Sequence, residues 1–199
     1  MKKNTLLFMI IIILIVSYGC SKNHEAESDD NEKLKPPENI YGIKNIFEDK
    51  VTNKVVSEQD MKKDIQLYLD SFAELSEIIE YYQDKIYDEK LNQKDEKNLK
   101  KINTLIQEND KNFHHYIENN ELPNKYKENV FKIYKYIHTY NQFNIDSFLD
   151  DIQNGKISKK NVDKLQKDTK ILNGREQKKI ENFLKEQNIK TKAFRRDDN

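Results

Sequence analysis

The chain is poor in residues that break helices or cross-link chains: among 199 residues there are four glycines, three prolines and one cysteine. A single cysteine excludes an internal disulfide and the Cys/His clusters of zinc proteins. So few glycines leave no loop to cradle phosphates, and no GxSxG turn is present to expose a nucleophile. The 35 % of charged residues, with so few breakers, instead predicts long helices and no enzyme.

An excess of charge of either sign is also lacking, since 35 basic residues balance 35 acidic ones. Removal of an N-terminal segment that contains Lys2 and Lys3 leaves 33 basic and 35 acidic residues, a net charge of −2. Nucleic-acid-binding proteins need a basic face. The composition therefore predicts no nucleic-acid partner.

One long apolar run is present, at residues 6–16, directly after Lys2 and Lys3. It is shorter than the about 20 residues that span a bilayer, and this pattern is typical of a signal peptide. Gly19 and Cys20 follow. The cysteine is either incidental or the lipidated residue of a bacterial lipobox, in which Gly19 and Cys20 match the consensus and Ser17 and Tyr18 do not. We expect lipidation of Cys20 by diacylglycerol and palmitate, because two acyl chains are enough for stable anchoring.

These features predict four regions. Residues 1–19 are a lipoprotein signal peptide, residues 20–39 a disordered tether from lipidated Cys20, residues 40–189 a helical bundle domain, and residues 190–199 a flexible tail. The tether is polar and ends at Pro36-Pro37, which favours extended geometry. Residues 40–56 are interpreted as either a short helix or an extended strap.

Apolar spacing indicates the helices. From the N-cap Ser57, apolar residues recur in steps of four and three, a coiled-coil period, at Met61, Ile65, Tyr68, Phe72, Leu75, Ile79, Tyr82 and Ile86, widened by Leu69 and Ile78. A second helix is predicted over roughly 94–120 and a third from Pro123, at position N1, to Asn154-Gly155. A fourth begins after Ser158 and bends or breaks at Asn173-Gly174. The fold class is all-α: an elongated up-and-down helical bundle with about four long helices.

A polar interruption in the second helix is the first candidate site. Asn109 lies between Ile106 and Phe113 in the apolar stripe, and Asp110 follows it. A buried amide at such a position fixes pairing register at some cost in stability. We therefore expect Asn109→Leu to leave the bundle folded or more stable, and Asp110 to pair with His114 one turn later.

Two further candidate sites each have an ordinary structural explanation as the alternative. Asp110, His114 and His138 are candidate metal ligands, but adjacent His114 and His115 point about 100° apart and no HExxH accompanies them, so the prediction is no metal and no cofactor. Tyr136 and Phe143 lie off the main stripe of the third helix. They are either an exposed aromatic patch for a partner or contacts of a helix that is packed on two sides.

Asn109-Asp110-Lys111-Asn112-Phe113, with Gly19-Cys20, resembles the staphylococcal NDxxF motif lipoproteins. The resemblance implies a lipid-anchored, surface-exposed protein of a Gram-positive bacterium. It carries over Asn109, Asp110 and Phe113 as motif residues and implies no enzymatic activity.

The leading hypothesis is a non-enzymatic helical binding module, anchored by lipid to the outer face of the cytoplasmic membrane. Its partner would be a protein or an envelope component. The alternatives are an immunity-type lipoprotein that captures a peptide or toxin, and a protein that captures a metal or ligand.

Overall fold

A computed structural model describes residues 36–40, 45–51, 53–87, 91–142 and 171–194. These residues contain four helices: α1 (Glu58–Tyr87), α2 (Gln93–Asn119), α3 (Asn124–Asn141) and α4 (Gly174–Glu186). The predicted signal peptide, Cys20 and most of the tether lie outside the described residues. None of the helices in the described ranges is both long and apolar enough to cross a membrane.

The first two helices begin where the sequence predicts. The Ser57 hydroxyl oxygen accepts a hydrogen bond from the Asp60 backbone N–H at 3.1 Å and caps α1. Asn92 caps α2 in a capping box: its side chain accepts from the backbone of Asp95, and the Asp95 side chain accepts from the backbone of Asn92. Both predicted starts are confirmed to within a residue or two.

The third helix is shorter than predicted. Pro123 is its N-cap rather than its first residue, and it ends at Asn141 with Gln142 as C-cap. The prediction of one helix through to Asn154-Gly155 was wrong, because asparagines around this point have low helix propensity and weaken the apolar pattern. The sequence from 143 to 170, including the predicted start after Ser158, lies outside the described residues.

Asn173-Gly174 marks the start of a helix. The Asn173 side-chain oxygen accepts hydrogen bonds from the backbone N–H groups of Arg175 and Glu176, both at 3.1 Å. Asn is a strong N-cap residue, so the pair starts α4.

Neighbouring helices run antiparallel. Near one end of the α1–α2 pair, the Asn98 amide donates to the Tyr82 hydroxyl; near the other end, the Tyr116 hydroxyl donates to Asp64. Two contacts show that α2 and α3 are also antiparallel, Asp110–His138 and His114–Tyr134. Two more show the same for α3 and α4, Tyr126–Gln187 and Tyr136–Gln177. The all-α helical bundle is confirmed.

The apolar core has two parts, separated along α2 by polar residues. The smaller cluster lies between α1 and α2 and comprises Leu75, Ile78, Tyr82, Leu99, Ile102 and Ile106. The larger cluster includes the start of α1 and residues from α2, α3 and α4. On α2 the division falls between Ile106 and Phe113, where Asn109 and Asp110 lie.

Residues 45–51, here called the strap, are not helical and cross the α1–α2 pair. Phe47 is fully buried in the larger cluster. The extended alternative for this segment is therefore the one observed. Further along the chain, a backbone bridge joins Val55 to Glu121.

The predicted flexible tail is docked over the part that the structure describes. Asp70 accepts hydrogen bonds from the Thr191 hydroxyl at 2.7 Å and the Lys192 backbone N–H at 2.6 Å. Ala193 is buried and Phe194 packs against Tyr136. The prediction of flexibility from residue 190 was wrong for residues 190–194, because tertiary contacts with α1 and α3 fix them.

Candidate functional site

The three motif residues lie on α2 where the two core clusters meet, with Phe113 in the larger cluster, and all three are buried. Asn109 is 1 % exposed, Asp110 5 % and Phe113 0 %. Together with their contacts on the strap, α1 and α3 they form what we call the motif cluster.

Asn109 joins the strap to α1. Its side-chain oxygen accepts from the Phe47 backbone N–H at 2.8 Å, and its amide nitrogen donates to the Tyr68 carbonyl oxygen at 3.3 Å. Both ends of the amide are therefore used by buried backbone groups, which need a hydrogen-bond partner. The prediction that Asn109 is a buried polar interruption of the stripe fits its position, but its amide bonds to the strap as well as to α1, so we now expect Asn109→Leu to be destabilising.

Two more side chains bind the strap backbone and were missed in the sequence. The Asn112 amide donates to the Phe47 carbonyl at 3.0 Å, and the Ser71 hydroxyl donates to the Asn45 carbonyl at 3.0 Å. Asn112 occupies one of the variable positions of the motif, and Ser71 is a small polar residue beside the apolar stripe of α1. Polar residues next to a buried stripe were the only signal available.

Asp110 joins three helices. One carboxylate oxygen accepts from the Tyr68 hydroxyl on α1 at 2.5 Å, and the other pairs with Nδ1 of His138 on α3. Burial, and then the charge of Asp110, raises the pKa of Tyr68, so the phenol remains a hydrogen-bond donor. A buried carboxylate needs such partners because its desolvation is costly.

The predicted pair between Asp110 and His114 was wrong. His114 instead pairs with Glu118 on its own helix, with Nε2 to Oε1 at 3.1 Å. The short Asp110 side chain lies beneath the helix surface, where it reaches the neighbouring helices.

His114 and His138 lie on either side of the Tyr134 ring rather than converging on one point. Tyr134 stacks on His114 with ring centroids 4.3 Å apart and on His138 at 5.1 Å. Burial, with smaller contributions from Asp110 and Glu118, raises the pKa of Tyr134 to about 12. The ring separates two of the three candidate ligands, and the described ranges contain no group of three or more His, Cys, Asp or Glu that could hold a metal ion.

Phe113 is the apolar part of the motif cluster. Its ring stacks on Tyr68 with centroids 3.9 Å apart and meets Phe47 edge-on at 5.1 Å. Such aromatic pairs stabilise by about 0.5–1.5 kcal/mol beyond the burial of their area. The Phe113 ring thus packs on the Phe47 side chain of the strap, while Asn109 and Asn112 bind the backbone of the same residue.

Tyr136, the first of the two candidate partner-binding aromatics, is half-buried between α3 and the C-terminal segment. Its hydroxyl donates to the side-chain amide oxygen Oε1 of Gln177 at 3.4 Å, and its ring centroid lies 5.7 Å from that of Phe194. Burial raises the pKa of Tyr136 to about 12. These contacts agree with the alternative of a helix packed on two sides, and Phe143 lies outside the described residues.

The motif cluster therefore ties the strap to three helices of the bundle, α1, α2 and α3. Its polar atoms bond to other parts of the chain, and only the His138 imidazole, 38 % exposed in its side chain, reaches the surface. Comparison of the chain with protein-family models, curated proteins and solved structures found no match.

Proposed function

We propose that this chain is a bacterial lipoprotein, anchored through Cys20 to the outer face of the cytoplasmic membrane, and that its helical bundle is a non-enzymatic binding module. The observation that carries the proposal is the order of segments at the N-terminus. An apolar run of signal-peptide length ends at Gly19-Cys20, and a polar stretch leads from there to the strap.

The resemblance to NDxxF motif lipoproteins supports the same proposal. In this chain the motif binds the strap, which is the first described segment that packs into the larger core cluster. A protein attached to a membrane through its N-terminus needs a firm connection between tether and domain. Asn109 and Phe113 supply one by contacting Phe47, while Asp110 joins the helices around them.

A non-enzymatic role is supported by how the motif residues use their polar atoms. Asn109 and Asp110 are almost fully buried and bond to the strap, α1 and α3. They are not directed at solvent, where a substrate would bind.

Metabolic labelling tests the anchor. Cells that express the chain with radiolabelled palmitate should label the wild-type protein and the control Ser21→Ala, but not Cys20→Ala. Persistent labelling of Cys20→Ala would refute the anchor. Protease added to intact protoplasts should degrade the bundle if it lies outside the membrane.

Crosslinking in intact cells, followed by mass spectrometry, tests the binding module. A partner that is recovered from wild-type cells should also be recovered with Ser21→Ala and be reduced with the unanchored Cys20→Ala chain. Recovery of no specific partner under any growth condition would count against a binding role.

Peptide capture is the second candidate function, and one observation favours it. The surface between α1 and α2 already accommodates an extended segment, the strap, through hydrogen bonds from helix side chains to its backbone. The capture of peptides is a use to which such a surface is suited.

A further inference from the structure

The surface of α1 and α2 beneath the strap, here called the strap groove, recognises main-chain atoms. Ser71 binds the carbonyl of residue 45, while Asn109 and Asn112 bind the N–H and the carbonyl of residue 47. The three distances lie between 2.8 and 3.0 Å, which is normal hydrogen-bond geometry. Bonds of this kind require an extended backbone and do not depend on the side chains of the bound segment.

Side-chain recognition in the groove is concentrated at one position. Phe47 is fully buried, with its ring 5.1 Å from Phe113 and 5.2 Å from Tyr116. Its neighbours along the strap are partly buried or exposed. Ile46 beside it is half-buried against the smaller core cluster, so Phe47 is the main anchor of the segment and Ile46 a lesser one, as in a peptide ligand held by an aromatic anchor.

One carboxylate–imidazole contact and one ion pair at the rim add a preference for charged residues in the bound segment. Asp49 lies 2.9 Å from Nδ1 of His115, and Lys50 Nζ lies 2.9 Å from Asp64. The groove therefore fits an aromatic residue, an acid two positions later and a base directly after the acid.

We propose that the strap groove is a binding site for an extended peptide segment of a partner protein with this aromatic–x–acid–base pattern, and that the strap is its internal occupant. The inference rests on the proposed role as a binding module and names the class of partner. A partner segment replaces the strap by forming the same three backbone bonds and filling the Phe47 position.

Occupation by the strap sets the threshold for binding. A segment joined to its own site has an effective concentration on the order of mM, so a free peptide competes poorly with it. A variant with an empty aromatic position weakens this competition, because its strap keeps only the backbone bonds, whereas a peptide with Phe forms those bonds and also fills the aromatic position.

The test uses full-length Phe47→Ala protein in detergent and a fluorescent peptide with the sequence of residues 45–51, NIFEDKV. Fluorescence anisotropy should show saturable binding to Phe47→Ala, at least tenfold tighter than to the wild-type chain. A peptide with Ala in place of Phe should not bind. A peptide N-methylated at Phe cannot donate the backbone hydrogen bond that the Asn109 side-chain oxygen accepts, and it should bind at least tenfold more weakly.

Matched variants locate the site. In the Phe47→Ala background, Asn112→Ala should weaken binding several-fold, because it removes the donor to the peptide carbonyl. Asn119→Ala, an exposed residue of the same helix that bonds to the backbone of its own helix, should leave binding unchanged. Equal effects of the two variants would place the peptide elsewhere.

Every outcome bears on the proposal. If Phe47→Ala does not fold, the peptide should restore its circular dichroism and its cooperative melting. Folded Phe47→Ala that shows no binding up to ~1 mM peptide, or unfolded protein that the peptide does not restore, would overturn the proposal. A wild-type dimer whose formation requires Phe47 would overturn the choice of a foreign partner in favour of a second copy. Failure of any of these arms leaves palmitate labelling and crosslinking unaffected, so the two proposals fail separately.

Discussion

The Asn109→Leu substitution tests whether the motif amide holds the strap in place. The wild-type amide oxygen lies 2.8 Å from the Phe47 backbone nitrogen, and the amide nitrogen lies 3.3 Å from the Tyr68 carbonyl oxygen. Leucine has a similar shape but offers neither an acceptor nor a donor. The Phe47 N–H then remains buried without a partner, which costs about 1–3 kcal/mol.

Apolar burial offsets only part of this cost. Favourable contacts of a methyl group lie at about 3.5–4.0 Å, so a leucine methyl at the position of the amide oxygen would push the strap away. That displacement loosens the packing of Phe47 on Phe113. We expect the free energy of unfolding to fall by about 1–2 kcal/mol, which for a chain of this size lowers Tm by roughly 2–8 °C.

Urea denaturation followed by circular dichroism measures the change, and Asn103→Leu is the control. Asn103 lies on the same helix and is 7 % exposed, and no hydrogen bond among the described residues joins it to the strap. The control should be unchanged or slightly stabilised. Hydrogen exchange should show loss of protection at the Phe47 amide in Asn109→Leu alone. An Asn109→Leu protein as stable as wild type, with that amide still protected, would refute the reasoning.

Three further perturbations test other contacts. Tyr68→Phe removes a hydrogen-bond donor to the buried Asp110 carboxylate and should lower the free energy of unfolding by about 1.5–3 kcal/mol in urea denaturation. Tyr126→Phe is the control and should cost less, because the Tyr126 hydroxyl donates to the neutral amide of Gln187. Equal costs would contradict a charged acceptor. Asp70→Ala removes the hydrogen bonds from Thr191 and Lys192 and should speed trypsin cleavage of the C-terminal segment. An unchanged rate would show that apolar contacts alone dock this segment. Burial raises the pKa of Tyr134 and Tyr136 to about 12, whereas tyrosine in an unfolded chain titrates near 10. Their contribution to the free energy of unfolding is therefore complete below pH 10 and is lost between pH 10 and 12. Replacing both by Phe should flatten the fall of the urea midpoint between these pH values, and an equally steep fall would assign the pH dependence to other groups.

Local patterns predicted much of the fold. The four-three spacing from Met61 to Tyr82 gave α1, since one face of a helix must be apolar to pack in a bundle. Ser57 and Asn92 marked helix starts because their side chains satisfy backbone N–H groups that the helix leaves unpaired. These signals act within a few residues, which is why they can be recognised in the sequence.

Contacts distant in sequence were not predictable in the same way. Phe47 lies 62 residues from Asn109, and Asp110 lies 28 residues from His138. Their meeting depends on the register of antiparallel helices and on the path of the strap, and no periodicity specifies either. Within its own helix Asp110 had a suitable neighbour in His114, so the local choice was plausible and tertiary packing overrode it.

Helix geometry explains the spacing of the motif in this chain. At about 100° per residue, Asn109 and Phe113 lie within about 40° of each other, and both contact the strap and α1. Asp110 is turned by about 100° from Asn109 and reaches α3 as well as α1. An acid one residue later would take the place of Lys111, which is exposed, and would contact neither helix. The order Asn-Asp-x-x-Phe is therefore what one helix needs to bind a strap and two neighbouring helices at one level of the bundle.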